Sequence, residues 1–169
     1  MKLKDVFITV CERGLGVIAY VFPFVEISSY FGAKVFLSAE SLPLQYFYRN
    51  FILNLVTVYQ NNAYLSFALM IGIFFICSKG SLPLTKFVRF NVIQAILINI
   101  ICSCIGSIFA YTPIVLRESV LGIVLANFLY LGILYMIGYS VLLISYGRYP
   151  KIPVISEAAR LQVQRGYLD

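Results

Sequence analysis

Two stretches, Phe90–Tyr111 and Leu121–Tyr146, each run for more than twenty residues without a formal charge. A bilayer core about 30 Å thick is crossed by about 20 helical residues rising 1.5 Å each. Such runs therefore specify membrane-spanning helices before any other feature is weighed. Two shorter apolar stretches, Gly14–Phe31 and Asn62–Ser78, bring the expected number of spans to four. The first is interrupted by Pro23 and carries Glu26, and an acidic residue at a helix centre costs about 2.5–3.5 kcal/mol to insert. The composition agrees: 61% of residues are hydrophobic and 12% are charged, against about 25% charged in soluble domains. The expected fold class is all-α, a polytopic membrane protein forming one membrane domain over residues 1–169, with a tail from 147 to 169. A nucleic-acid reader is excluded, because the 13 Lys and Arg form no basic stripe.

Four spans put the N-terminus, the loop between the second and third spans, and the tail on one side. That side holds Lys2, Lys4, Arg13, Lys79, Lys86, Arg89, Arg148, Lys151, Arg160 and Arg165, and the other holds Lys34, Arg49 and Arg117. Positive residues accumulate on the cytoplasmic face or its equivalent, so both termini are expected there, and the net charge of +6 is expected to act as a topology determinant. Val6–Val10 is too short for the apolar core of a cleaved leader, which needs about 7–15 residues. A protein of this kind working in an organelle is thus expected to be made there, or to have had its leader trimmed. The 21 Ile against 10 Ala suit an AT-rich genome.

Residues 45–60 are amphipathic at helical spacing. Arg49, Asn50, Asn54, Thr57 and Gln60 share one arc, and Phe47, Tyr48, Phe51, Ile52, Leu55, Val56, Val58 and Tyr59 share the other, with Leu53 the apolar exception. The segment is expected to lie in the outer membrane interface with its Tyr residues at headgroup level, its polar face either simply solvated or lining a vestibule. In the third span, Asn91, Gln94, Ala95, Asn99, Cys102 and Gly106 share an arc, while Ser103 and Ser107 fall outside it and can bond back to their own helix. An amide in hydrocarbon requires a partner. This face therefore either bonds another helix or borders a hydrated path. The fourth span carries Asn127 and a Gly122/Ala126 pair that permits close helix approach. Glu26, about 18 Å along the first span, either snorkels outward, pairs with Lys34 or Arg117, or serves as an intramembrane functional group.

Reactive chemistry is sparse. There is no His, hence no ordinary general base. Cys102 and Cys104 point in different directions on one helix, Cys11 and Cys77 lie near the inner end, and no metal-ligand spacing occurs. Neither an enzymatic role nor a cofactor is expected.

Three motifs carry a family resemblance. Tyr20-Val21-Phe22-Pro23-Phe24-Val25-Glu26, followed by Phe31-Gly32, is similar to a Tyr-Leu-x-Pro-Leu-x-acidic start of a first helix. Arg89-Phe90-Asn91-Val92-Ile93-Gln94-Ala95 is similar to Arg-Phe-His-x-x-Gln-Ala. The ending Pro150-Lys151-Ile152-Pro153-Val154-Ile155-Ser156-Glu157-Ala158-Ala159 is similar to Pro-x-Ile-Pro-x-Ile-x-Glu-Ala-Ala. In order and spacing the chain resembles, over about residues 14–163, the twenty-kilodalton subunit family of the TIC translocon, the protein-import machinery of the chloroplast inner envelope, which also has plastid-encoded and cyanobacterial members. The resemblance implies a four-helix subunit of the import channel, with both termini in the stroma, or a plasma-membrane counterpart in cyanobacteria. It further implies other translocon subunits, transiting precursor proteins and membrane lipid as partners. Pro23, Glu26, Arg89, Gln94, Pro153 and Glu157 match motif positions. Asn91 stands where the family often has His, which keeps a hydrogen-bonding role and removes an ionisable one. Four helices of this size cannot enclose a polypeptide-wide pore while packing on one another, so a conducting path requires oligomerisation or other subunits. The alternative is a non-conducting scaffold or assembly factor.

Overall fold

The computed structural model describes residues 3–37, 41–79 and 84–165. Lys2, and residues 166–169 of the expected tail, lie outside the described residues. The helical segments are α1 (Leu3–Ala19), α2 (Val21–Ile27), a π-helical turn (Ser28–Gly32), α3 (Ala33–Leu37), α4 (Leu42–Phe47), a second π-helical turn (Tyr48–Ile52), α5 (Leu53–Asn61), α6 (Ala63–Lys79), α7 (Lys86–Tyr111), α8 (Ile114–Arg117), α9 (Val120–Ser145) and α10 (Ile155–Arg165). No strand occurs among the described residues. The fold is that of an all-α polytopic membrane protein.

Among the described residues three helices are long and apolar enough to cross a bilayer: Val10–Leu37, Lys86–Tyr111 and Val120–Ser145. A fourth crossing arises if Leu42–Asn61 and Ala63–Lys79, which meet at 84°, count as one broken span. The first helix extends beyond the expected Gly14–Phe31 at both ends. Glu12 and Arg13 do not stop it, because Arg13 reaches across to donate to the carbonyl of Ser145 at 2.9 Å. Pro23 interrupts the helix without ending it. Proline has no N–H to offer the carbonyl four residues back, and the ladder slips locally, with Tyr20 N donating to Val17 O at 3.0 Å.

The long helices are bounded by local chemistry. Thr85 caps α7 by accepting from Val88 N, and Ser119 caps α9 by accepting from Gly122 N at 3.2 Å. α9 ends at Gly147, whose φ of +72° places it in the left-handed region that helix C-termini use. Arg148 N then closes back on Leu143 O at 2.8 Å. Within the last sequence motif, Ile155 N donates to Pro153 O at 2.7 Å around Val154, whose φ is +66°, a tight γ-turn that leads into α10. Ser156 Oγ braces it, accepting from Ile152 N at 2.6 Å and donating to Pro150 O at 3.0 Å.

In packing order the first helix lies between α9 and α7, and α7 lies between the first helix and the α6/α10 pair. The main core joins Tyr20, Ile27 and Phe31 of the first helix to Ile98 and Cys102 of α7 and to Ala126, Tyr130, Ile133 and Ile144 of α9. α6 is peripheral: only Met70 and Cys77 are buried, while Leu65, Phe67, Leu69 and Phe75 are exposed. With the exposed Leu121, Leu125, Phe128 and Leu131 of α9, they form an apolar exterior far larger than a water-soluble monomer presents.

Candidate functional site

The polar groups of α7 turn inward. Asn91 and Gln94 are fully buried and Asn99 is 3% exposed. Helical spacing puts them on the face that packs against α1, α2 and α6. Asn91 Nδ2 donates to Phe87 O of its own helix at 2.8 Å, and Asn99 Nδ2 meets Met70 Sδ at 3.1 Å. Among the described residues Gln94 has no hydrogen-bond partner for either amide atom, nor do Asn91 Oδ1 and Asn99 Oδ1. Leaving a buried polar group unpaired costs about 1–3 kcal/mol. A row of such groups is a surface prepared for hydrogen bonds it does not make internally.

The row leads to a cleft of about 290 Å³ lined by Glu26, Ser29, Tyr30, Tyr59, Gln60, Ala63, Phe67 and Ser103. Glu26, Ser29 and Tyr30 share a face at i, i+3 and i+4, and the π-helical turn that begins at Ser28 carries Tyr30 over α7. There the Tyr30 hydroxyl meets Ser107 Oγ at 3.3 Å. Glu26 is 6% exposed. No basic side chain among the described residues stands within ion-pair distance of it. The Tyr59 phenol lies beside the Glu26 carboxyl and the Asn99 amide. Glu26, Tyr59 and Asn99 thus meet where the first helix, α5 and α7 converge.

Several expectations are corrected. Glu26 pairs with neither Lys34 nor Arg117. Lys34 Nζ instead donates to Glu118 Oε1 and to the carbonyl of Arg117, both at 2.8 Å, and Arg117 Nη1 donates to Ala110 O at 3.3 Å. Ser107 bonds Tyr30 rather than its own helix, and Ser103 lines the cleft. Gly122 faces the turn before it: a Cβ there would fall 2.3 Å from Leu116 O. The apolar arc of residues 45–60 is divided. Tyr48, Ile52 and Val56 pack on Val25, with the Tyr48 ring stacked on Phe36, while Phe47, Phe51, Leu55 and Val58 are exposed. On the polar arc Asn50, Asn54 and Thr57 each donate to the carbonyl four residues back.

The remaining candidate residues lie apart from the cleft. Pro23 is buried at the slip in the first helix. Arg89, 2% exposed, donates through Nε to Cys77 O at 2.6 Å and through Nη2 to Ser78 O at 2.8 Å, closing the end of α6. Asn127 is half-buried on α9, and Pro153 and Glu157 are exposed at the start of α10. Tyr59 and Gln60 belonged to the segment already recognised as amphipathic. Ser29 and Tyr30 carry no role in the sequence pattern, although they follow Glu26 by three and four residues, and Ser103, which follows Asn99 by four, reads there only as able to bond its own helix.

The hydrogen bond from Lys34 holds the Glu118 carboxyl below its usual range. A lowered carboxylate stabilises the fold at neutral pH, and that contribution is lost as pH falls through its folded value. Glu118→Gln is therefore expected to lower the unfolding temperature slightly at pH 7, with the gap to wild type closing once pH drops below the carboxylate range.

The arrangement holds amides, phenols and hydroxyls around one carboxylate, with no activated nucleophile beside a base. It can exchange hydrogen bonds with water or with a peptide backbone. Residues 11–159 match the family profile described as Chloroplast import apparatus Tic20-like. The Tic20 family protein Ycf60 of Gracilaria tenuistipitata var. liui is 32% identical over 158 residues, covering 92% of this chain and 77% of that protein. Its counterpart in Pyropia yezoensis is 33% identical over 159 residues, covering 92% and 76%. A Tic20 family protein of Synechocystis sp. is 32% identical over 154 residues, covering 90% and 93%. No solved structure matches the chain.

Proposed function

Because the chain belongs to the Tic20 family, whose members are membrane components of protein import, we propose that it helps form the path by which precursor proteins cross the chloroplast inner envelope. In this reading the inward face of α7 and the Glu26 cleft form part of the surface a precursor passes. The observation that carries it is Gln94, fully buried with both amide atoms unpartnered among the described residues. Backbone amides of an extended chain, or the water around it, satisfy donors and acceptors of this kind without demanding a sequence. One copy holds its helices too closely to enclose such a chain, so the surface opens at a contact with other translocon subunits or a second copy. The distribution of basic residues supports an orientation with both termini on the stromal side. The subunit is not an enzyme and requires no cofactor.

The alternative is a non-conducting scaffold, favoured by the near-complete burial of Asn91, Gln94 and Asn99 against neighbouring helices. Interhelical amide bonds are worth about 0.6–2 kcal/mol, enough to serve as glue. Paired Gln94→Leu and Asn99→Leu substitutions separate the two. If the face is part of the path, import of a radiolabelled precursor falls while the complex still assembles on native gels; undiminished import with normal assembly supports the scaffold.

A further inference from the structure

At the opposite end of α7 from the Glu26 cleft, a notch of about 240 Å³ lies between α7 and α10, lined by Lys86, Phe90, Tyr149, Arg160, Val163 and Gln164. Its floor is apolar. Phe90 and Val163 are buried, and Tyr149 stands edge-on to Phe87 and Phe90 with ring centroids 5.2 and 5.1 Å apart. Its rim is cationic. Lys86 is the first residue of α7 and Arg160 lies in the middle of α10, and among the described residues no carboxylate lines the notch.

Position decides what kind of ligand this suits. Lys86 begins a 26-residue candidate span, so the notch lies at the membrane–water boundary, where phospholipid headgroups are the most abundant ligands. Basic pockets between helix ends at this level are suited to anionic headgroups. α10 reinforces the placement: Ala159 and Val163 pack onto α6 and α7 while Leu161 is exposed, as on a helix lying along the surface. Arg148 and Lys151, exposed on the connection from α9, add positive charge at the same end. A free inorganic anion would use the cationic rim and leave the aromatic floor unused.

We propose that this notch binds one anionic lipid, its phosphodiester between Lys86 and Arg160 and its glycerol and upper acyl region over Phe90 and Val163. The proposal is independent of whether α7 lines a translocation path. The test is native mass spectrometry of the purified full chain in detergent with phosphatidylglycerol or phosphatidylcholine. One phosphatidylglycerol is expected to be retained in preference to phosphatidylcholine. At about 1 kcal/mol per basic residue near a membrane surface, Arg160→Gln is expected to reduce retention about five-fold, Lys86→Gln to add to the loss, and Arg160→Lys to keep most of it. Lys151→Gln, outside the notch, is expected to leave retention unchanged. Equal retention of the two lipids, no effect of Arg160→Gln, or an equal effect of Lys151→Gln would overturn the proposal. So would inorganic phosphate at millimolar concentration that displaces the lipid fully, which marks a free-anion site. Arg160 is exposed, and an unchanged unfolding temperature without added lipid confirms that its variants fold.

Discussion

Arg89→Met is expected to destabilise the protein by about 2–5 kcal/mol, measured as a fall in unfolding temperature in detergent or as loss of intact protein from the membrane. Cys77 and Ser78 lie in the last turn of α6, and Arg89 donates to both of their carbonyls from a position 2% exposed to solvent. Hydrogen bonds to a charged group are worth about 1.5–3 kcal/mol each, and losing one partner leaves the other buried and unpaired. The guanidinium also sits at the negative end of the α6 dipole, a further favourable term. Methionine fills much of the volume and supplies no donor. Arg89→Lys is expected to fall between the two, because an ammonium on a flexible stem cannot hold two carbonyls in the fork geometry of a guanidinium. Arg89→Met as stable as wild type would contradict this account, and Arg89→Lys as stable as wild type would show that the basic residue at this motif position contributes charge alone.

Gly106→Ala is the second large effect. A Cβ at position 106 would fall 2.2 Å from Cδ2 of the Tyr30 ring and 2.3 Å from its Cγ, far inside van der Waals contact. The first helix and α7 would have to separate, or Tyr30 would have to leave both Gly106 and its hydroxyl contact with Ser107. Overpacking of this kind costs about 1–3 kcal/mol. Because Tyr30 also lines the cleft, the substitution is expected to disturb the site along with the fold. A double-mutant cycle checks the cause: in a Tyr30→Ala background, Gly106→Ala is expected to cost little. Additive losses would place the strain elsewhere.

Much of the architecture was legible in the sequence because lipid is an undemanding solvent to read for. α7 and α9 begin within four residues of the uncharged runs Phe90–Tyr111 and Leu121–Tyr146 and end within one. The amphipathic stretch 45–60 falls within the helical stretch Leu42–Asn61, which meets α6 at 84°. What escaped was tertiary. Helical periodicity groups Asn91, Gln94 and Asn99 on one face but cannot say that this face turns toward the first helix. Nor does it reveal two π-helical turns, whose contact brings Tyr48 against Gly32, where a Cβ would lie 2.9 Å from Tyr48 Cε2. Basic residues read as topology determinants have a second role visible only in three dimensions. Arg13, Arg89 and Arg117 each donate to carbonyls at the end of another helix or turn, those of α9, α6 and α7 respectively. The pairing expected for Glu26 failed because Glu118, next to Arg117 in sequence, takes Lys34 at 2.8 Å. That leaves the buried carboxylate facing the cleft.

The central claim is that the inward face of α7 meets precursor chains. It is tested most directly by a photo-crosslinking residue placed at Gln94, with Asn91 and Asn99 as companions and the exposed Phe128 of α9 as a lipid-facing control, in complexes holding a precursor arrested in transit. The account predicts adducts to the precursor from Gln94 and its companions and none from Phe128. Adducts from neighbouring subunits in the same complexes, with none from any of the three α7 positions, would contradict it.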